Sequence, residues 1–303
     1  MTATRSLGRE LRARCAEQMR DEERGMGGQA WLFEAFMATP REAYVPDRVW
    51  WPQRDKDGLY PVLDRRLEPQ RWLHAVYLPG FYLITQINDG STPLTGPADG
   101  AFTSSISAPA VTVEVLRHLD PQPGHKILEI GTGTGYSTAL LAHRVGAGQV
   151  TSIEIDSALA GHARQRLAAQ DLSPRLLVGD GEHVDPDGGF YDRIVATASV
   201  RAIPRAWITQ LAPGGVLVAP LDSPYGHDLL IRLTATGDGT ATGVAVAPVE
   251  FMRTRGQRTP QPHEYLGWPT STHEKTIDWT ELAITYGADG QHITHPRRPP
   301  AAS

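Results

Sequence analysis

Lys126-Ile-Leu-Glu-Ile-Gly-Thr-Gly-Thr-Gly-Tyr136 is the stretch whose reading decides the fold. Its apolar run reads as a buried strand with an acid, Glu129, near the end. Three glycines follow at alternate positions, Gly131, Gly133 and Gly135. Tyr136-Ser-Thr-Ala-Leu-Leu-Ala-His-Arg144 then reads as a helix with Leu140 and Leu141 on its buried side. Strand, glycine-rich turn and helix form the first unit of a nucleotide-binding α/β sheet. Glycine is needed where the backbone turns tightly and a ligand approaches the space a Cβ would fill.

The spacing selects among ligands. A dinucleotide site takes G-x-G-x-x-G, with a pyrophosphate on the helix N-terminus. Here the order is G-x-G-x-G, and Tyr136 stands where the third dinucleotide glycine would be. An acid beside the loop suits a cationic ligand better than a pyrophosphate. Both features fit S-adenosylmethionine (SAM), which carries an ammonium and a positive sulfonium.

The following segments repeat the arrangement. Gln149-Val-Thr-Ser-Ile-Glu-Ile155 is a second strand with Glu154 near its end. In doubly wound folds an acid about 20 residues past the glycine loop bonds ribose hydroxyls. Arg175-Leu-Leu-Val-Gly-Asp-Gly181 is a third strand, ending in Asp180 and Gly181, and an acid there can accept from an adenine amino group. Tyr191-Asp-Arg-Ile-Val-Ala-Thr197 and Gly214-Gly-Val-Leu-Val-Ala-Pro220 supply a fourth and a fifth strand. The fold expected is α/β, a Rossmann-like sheet of the class I SAM-dependent methyltransferase type with N-terminal and C-terminal extensions. The candidate cofactor set is Glu129, Gly131, Thr132, Gly133, Gly135, Tyr136, Glu154, Ile155, Asp180, Gly181 and Thr197.

Composition bounds the rest. The chain has 303 residues, 40% hydrophobic and 21% charged, an ordinary globular balance. No apolar run approaches the roughly 18 residues that span a membrane. The polar, arginine-bearing Met1 to Arg14 lacks an apolar signal core. The single cysteine, Cys15, cannot form an internal disulfide, and it reads as an incidental residue of the first helix. A reducing cytoplasm is therefore the expected compartment. A net charge of −5 offers no general attraction to nucleic acid. No metal site is expected.

In chain order, residues 1–25 read as an arginine- and glutamate-rich helix, and 30–38 as a strongly apolar one. Thr39 to Pro46 is a turn with an extended exit. Residues 47–100 show no clear periodicity, and Trp50, Trp51, Trp72, Tyr77, Phe81 and Tyr82 crowd there. That region reads either as a cap on the sheet or as an aromatic-walled substrate groove. Thr103-Ser-Ser-Ile-Ser-Ala-Pro109 precedes a helix over Ala110 to Leu119, with Pro109 suited to its first turn and Ser107 placed to cap it. Capping alone would account for one hydroxyl; the segment offers three serines and Thr103. Asp228 to Leu233 and Thr242 to Pro248 read as a strand pair through Gly237-Asp-Gly239. Residues 294–303 are expected to be disordered. The expected division is a substrate-side cap (1–102), a SAM-binding core (103–256) and a C-terminal extension with a disordered tail (257–303).

On these motifs the sequence resembles the protein-L-isoaspartate O-methyltransferase family, from about Phe33 to Gly256. Ala35-Phe-Met-Ala-Thr-Pro-Arg-Glu-Ala-Tyr-Val-Pro46 is similar to the family's "vpRe-x-Fvp" exit. Thr103 to Pro109 is similar to its T-I-S-x-P segment, and Ile127 to Tyr136 is nearly its SAM loop. Gly179-Asp-Gly181 and Phe251-Met-Arg-Thr-Arg-Gly256 resemble its later motifs. The resemblance implies methyl transfer from SAM to a carboxylate of an aspartyl or isoaspartyl residue in a peptide or protein, followed by loss of methanol to a succinimide. It implies that Ser107 is the active-site serine, with Thr103, Ser104 and Ser105 beside it. It puts Glu129 and the glycines at the methionine end, Glu154 on the ribose, and Asp180 with Gly181 at the adenine.

The chemistry agrees with that assignment. A carboxylate is already ionised near neutral pH, so the acceptor needs no general base. Proximity and in-line orientation are what remain to be supplied, and hydroxyls can supply them. The [DN]-P-P-[YF] of nitrogen methyltransferases is missing after the fourth strand, where Ala196-Thr-Ala-Ser199 stands. There are departures from the family pattern. Ala110, Val111 and Thr112 stand where the family often has a histidine, and the segment between Pro46 and Thr103 is longer. The Asn88-Asp-Gly and Phe-Met-x-x-Arg-Gly-Gln patterns look more like a branch found with ribosomally made peptide natural products. That likeness implies a modified peptide as substrate, chosen by residues 47–102 and 258–290. A general isoaspartate repair enzyme and a non-catalytic SAM-fold peptide binder are the alternatives.

Overall fold

The computed structural model describes residues 2–183, 185, 188–269 and 278–295. The chain opens with α1 (Thr2–Met19) and α2 (Ala30–Ala38). Leu32, Ala35 and Phe36 are the buried face of α2, at helical spacing. The helix stops where the Thr39 amide bonds the carbonyls of Ala35 and Phe36 and Pro40 forbids another turn. Cys15 is buried in α1, and burial pushes its thiol up to about 12, which suits a packing residue and not a nucleophile.

The region without periodicity builds a small antiparallel sheet. Its strands are β1 (Arg48–Trp50), β2 (Val62–Asp64), β3 (Leu83–Ile87) and β4 (Phe102–Ile106), in the order β2-β1-β3-β4. Helix α3 (Pro69–Val76) crosses between β2 and β3. The pattern is illegible in sequence because β1 and β3 bury apolar residues on both faces. Val49, Leu63 and Leu83 join the main core, while Trp50, Ile84 and Ile87 close a second cluster with Tyr60. Those two strands therefore do not alternate polar with apolar.

The Thr103–Ser107 segment departs from expectation. Residues 102–106 pair with β3 (Leu83 opposite Ile106, Ile84 opposite Ser105). Helix α4 (Pro109–Leu119) has Pro109 in its first turn and Ala108 at the N-cap, with no side-chain cap. Ser107 does not cap the helix, because it stands one residue too early. The boundary expected at 102/103 falls inside β4.

The main sheet contains nine strands among the described residues. They are β5 (Ile127–Ile130), β6 (Val150–Glu154), β7 (Arg175–Val178), β8 (Tyr191–Ala196), β9 (Leu211–Leu221), β10 (Asp228–Ala235), β11 (Ala241–Val249), β12 (Ala283–Gly287) and β13 (Gly290–Thr294). The order is β13-β12-β11-β10-β9-β8-β5-β6-β7. Pairing is parallel from β7 across to β9 and antiparallel beyond. The chain runs from β5 outward to β7 and then returns to the other side of β5 with β8. This reversal opens a crevice at the carboxyl ends of the strands, where doubly wound sheets bind ligands.

Helices α5 (Tyr136–Val145), α6 (Ser157–Ala168) and α7 (Arg205–Thr209) complete the layers. Strand alternation divides the core in two. Ile127, Val195, Val216 and Val218 face α1, α2, α4 and α5, whereas Leu128, Ile130, Ile194 and Leu217 face Trp207, Ile284 and Ile293. The C-terminal segment joins this sheet through β11, with Thr242 opposite Thr285. Thr294 ends β13, and 296–303 of the tail expected to be disordered lie outside the described residues. No helix among the described residues is long and apolar enough to cross a membrane.

Trp207 ties this packing to the crevice. It is 1% exposed, and its indole donates to the Gly181 carbonyl at 2.7 Å. Trp207→Ala is expected to lower unfolding free energy by about 3–5 kcal/mol. Trp207→Phe keeps most of the packing and loses about 1–3 kcal/mol by leaving that carbonyl without its donor. Denaturant unfolding of both variants checks the order; equal losses would remove the hydrogen bond from the account.

Candidate active site

The crevice lies over the carboxyl ends of β5, β6, β7 and β8, and the end of β4 forms its other wall. Gly131 and Gly135 hold φ of +92° and +87°, the left-handed region that favours glycine. A Cβ on Gly131 would lie 2.5 Å from Thr197 Oγ1, and that hydroxyl donates to the Gly131 carbonyl at 2.6 Å. Thr197 thus clamps the loop where it leaves β5. The Gly133 amide donates to Glu154 Oε2 at 2.9 Å, which anchors the middle of the loop to β6.

Glu129 is wholly buried beneath the loop. Its carboxylate accepts from the hydroxyls of Ser137 and Thr138 on α5 and of Ser152 on β6, the last at 2.7 Å. Thr132 joins through a 2.6 Å contact with Ser152. Burial raises the Glu129 pKa above the ordinary carboxyl value, and the three hydroxyls oppose that shift. Glu154 accepts one amide on each oxygen, from Gly133 and from Asp156 at 3.0 Å. Burial raises its pKa as well. Each of its oxygens retains capacity for a further hydrogen bond.

Ile155 is half-exposed at the end of β6 and borders the crevice. Asp180 accepts from the Glu182 amide at 3.0 Å, and Gly181 leaves no room for a side chain, since a Cβ there would be 2.5 Å from Ile130 Cγ2. Tyr136 borders the crevice with Gly131, Thr132 and Gly133, whereas Gly135 is turned towards Leu167 and Ala163 of α6. The Tyr136 ring packs edge-on against Phe36 and Tyr44, and the Arg41 guanidinium lies 4.9 Å from the ring centroid. It anchors the start of α5 in the helical core.

The four hydroxyls of the β4 segment divide into two pairs. Thr103 accepts from the Asp89 amide at 2.9 Å and donates to Gln86 Oε1 at 3.0 Å. Ser104 is buried and accepts from Thr85 at 2.9 Å. Both have structural partners. The Ser105 and Ser107 hydroxyls make no hydrogen bond among the described residues, and both residues border the crevice with Glu129 and Gly133.

A further group borders the crevice that the candidate set does not contain: Gln86, Asp89, Asp156, Arg255 and Arg258. Arg258 meets Asp89 with both terminal nitrogens, at 2.6 and 2.9 Å, and Arg255 reaches the same carboxylate at 3.1 Å. The Arg258 hydrogen bond foremost holds the Asp89 carboxyl below its ordinary pKa. Gln86 donates to Asp156 Oδ2 at 2.9 Å, and Asp156 caps α6 through Ala158 and Leu159. Arg253 fastens the same C-terminal loop to the sheet by bonding Asp222 at 2.7 Å and Asp228 at 3.1 Å. The Asn88-Asp-Gly turn and the Phe251–Gln257 motif are both visible in sequence. Nothing in sequence announces that residues 166 positions apart meet.

The family described as Protein-L-isoaspartate(D-aspartate) O-methyltransferase (PCMT) matches residues 94–259. A protein-L-isoaspartate O-methyltransferase of Methylorubrum extorquens is 39% identical over 232 residues, 76% of this chain and 83% of that protein. Two solved structures share the fold. One, a protein-L-isoaspartate O-methyltransferase, superposes with a TM-score of 0.66 at 17% identity, over 95% of this chain and 99% of its own. The other is a Plasmodium falciparum protein of the same description in complex with S-adenosyl-L-homocysteine. Its TM-score is 0.57 at 16% identity, over 80% of this chain and 97% of its own. With the family matched across the crevice and both of its walls, this chain belongs to the protein-L-isoaspartate(D-aspartate) O-methyltransferase family.

Proposed function

We propose that this protein methylates the carboxylate of an isoaspartyl or aspartyl residue in a polypeptide, with SAM as the methyl donor. The family assignment supports a SAM-dependent protein carboxyl methyltransferase. The observation that carries the reading is that two uncommitted hydroxyls, Ser105 and Ser107, share one crevice with the glycine loop, Glu129 and Glu154.

SAM bound in that crevice supplies an electrophilic methyl group on a positively charged sulfur. The residues fit such a ligand. Glu129 offers negative charge near the loop for the ammonium end, and Glu154 has acceptor capacity for two ribose hydroxyls. Asp180 can accept from the adenine amino group. Thr197 and Thr132 keep the loop in shape. The acceptor carboxylate arrives ionised, so no proton must be removed. Ser105 and Ser107 can donate to it and align one oxygen with the methyl group, which is proximity catalysis. A direct arginine or lysine clamp would lower the nucleophilicity of that oxygen. The rim arginines are already engaged by Asp89. The ester then loses methanol to a backbone nitrogen and leaves a succinimide.

A second reading, a modified ribosomal peptide as substrate, is favoured by one observation. The Asn88-Asp-Gly turn and the Phe-Met-x-x-Arg-Gly-Gln segment, which carry the likeness to that branch, join at the rim through Asp89, Arg255 and Arg258. A mass-spectrometric assay with SAM on a linear isoaspartyl peptide and on an aspartate-bearing modified peptide separates the two. Methyl ester and then succinimide on the first alone identifies repair; on the second alone, peptide tailoring. SAM binding without product on either would overturn carboxyl methylation.

Ser107→Ala is expected to leave SAM affinity within about twofold and to slow methyl transfer by about 10². Calorimetry and single-turnover kinetics check this, and unchanged turnover would remove Ser107 from the active site. Acidification should weaken SAM binding. Glu129 and Glu154 have raised pKa values, so lowering the pH through them neutralises the two acids that hold the cation and the ribose. Affinity is expected to fall about tenfold as the pH is lowered from neutrality towards the ordinary carboxyl range, and to begin falling above that range, by loss of charge-assisted contacts. A Kd that is flat or tightens on acidification would take both acids out of the cofactor site.

A further inference from the structure

Behind Ser107 lies a charged group that the cofactor and acceptor residues do not account for. Arg41 follows Pro40 in a short helical turn and is wholly buried. Its Nε donates to the Val76 carbonyl at 2.9 Å and its Nη2 to the Ser107 carbonyl at 2.5 Å. Its guanidinium also faces the Tyr136 ring at 4.9 Å. It forms no ion pair with a carboxylate among the described residues, and Nη1 and the neighbouring Tyr136 hydroxyl are both buried without a hydrogen-bond partner of good geometry. Arginine stays protonated even where burial lowers its pKa, as it does here. An unpaired buried charge costs several kcal/mol, and a neutral side chain of similar volume would serve stability better. The position is therefore hard to explain by packing.

Two of its three contacts, those with Ser107 and Tyr136, join the two halves of the site. The Ser107 carbonyl lies between the end of β4 and the start of α4, where no backbone amide takes it up. Arg41 does so, and thereby orients the peptide that carries the serine. Tyr136 is the first residue of α5, immediately after the glycine loop. One buried group thus sets the acceptor serine and the cofactor loop against each other. The crevice is also acidic at its cofactor end, through Glu129, Glu154, Asp156 and Asp180, and would repel an incoming carboxylate.

We propose that Arg41 is a positioning residue for methyl transfer, one that orients Ser107 through its carbonyl and supplies, from behind it, the positive charge that draws the substrate carboxylate in. The inference rests on the carboxyl methyltransferase reading above. Placed one layer back, the charge attracts the carboxylate without hydrogen-bonding to it, so its oxygen stays nucleophilic. In a low-dielectric surrounding such a charge is weakly screened.

The test uses full-length Arg41→Lys and Arg41→Gln, each alone and combined with Ser107→Ala. SAM affinity by calorimetry within about twofold of wild type, at a temperature where the variant is folded, serves as the check on the site. Arg41→Lys keeps the charge and loses the fork. It should lower kcat by about 10–100-fold, as expected for a small misplacement, with peptide KM little changed. Arg41→Gln keeps a donor and loses the charge, and should raise peptide KM by at least the same factor. In the Ser107→Ala background, Arg41→Lys should cost no further kcat, since the serine it orients is gone. Full multiplication of the two kcat losses, or equal KM values for the Lys and Gln variants, would overturn the proposal while leaving carboxyl methylation intact. Wild-type enzyme that binds SAM and methylates neither peptide would overturn the underlying reading, and this proposal with it.

Discussion

The buried carboxylate of Glu129 is the constraint on which the other parts of the site depend. A fully buried acid needs several donors, and here three hydroxyls from two different elements converge on it. Ser137 and Thr138 bring the first turn of α5 down onto the end of β5, and Ser152 fixes β6 beside it. The glycine loop has to pass over this cluster, and its left-handed glycines follow from the short span. Glu154, one position after the end of the Ser152–Ile153 pair, then meets the Gly133 amide. The loop, the two central strands and the helix form one polar unit with few alternatives. Were it broken, the remaining buried acid would be destabilising in its own right.

Much of the central sheet was legible because parallel strands covered on both sides are written as continuous apolar runs. Ile127–Ile130 and Val150–Glu154 fall within the stretches read from sequence, and the β10–β11 pair formed about the Gly237-Asp-Gly239 turn. The cap sheet was not legible. Its strands are three to five residues long, and β3 is buried on both faces, so Leu83-Ile-Thr-Gln-Ile87 carries neither alternation nor helical period. After the β4 segment the helix starts at Pro109, as its composition implies, and only the capping residue differs. A proline and three serines are a helix-start signal by composition, yet pairing with β3 draws the hydroxyls into the pleat and leaves Ala108 at the cap.

The site shows the same division. Positions defined by a local motif, the loop glycines and strand-end acids, lie together around one crevice. Hydroxyls of a single motif cannot be ranked by sequence, because what distinguishes Thr103 and Ser104 from Ser105 and Ser107 is who their neighbours are. Those neighbours, Gln86, Asp89 and Thr85, come from another strand and turn. Long-range charge pairing is still less visible: Asp89 meets Arg255 and Arg258 only because the C-terminal loop returns across the sheet. Tyr136 belongs to both settings: it borders the crevice beside the loop, and its ring packs on Phe36 and Tyr44 in the helical core.

Charge placement unites these details. The reaction joins an anionic oxygen to the methyl group of a cationic sulfur, so the site must accept both signs without letting either be bound too well in the ground state. Acids collect at the cofactor end, in contact range of the loop. The cations do not collect at the acceptor end in the same way. Arg255 and Arg258 are held at the rim by Asp89, Arg253 is tied to Asp222 and Asp228, and Arg41 is set behind the serine it touches only through a carbonyl. The groups left unengaged on the crevice wall are the Ser105 and Ser107 hydroxyls, a kind of group that can orient a carboxylate while taking little of its charge. A fold that merely bound peptides would have no need to keep its arginines one layer away from the acid they attract.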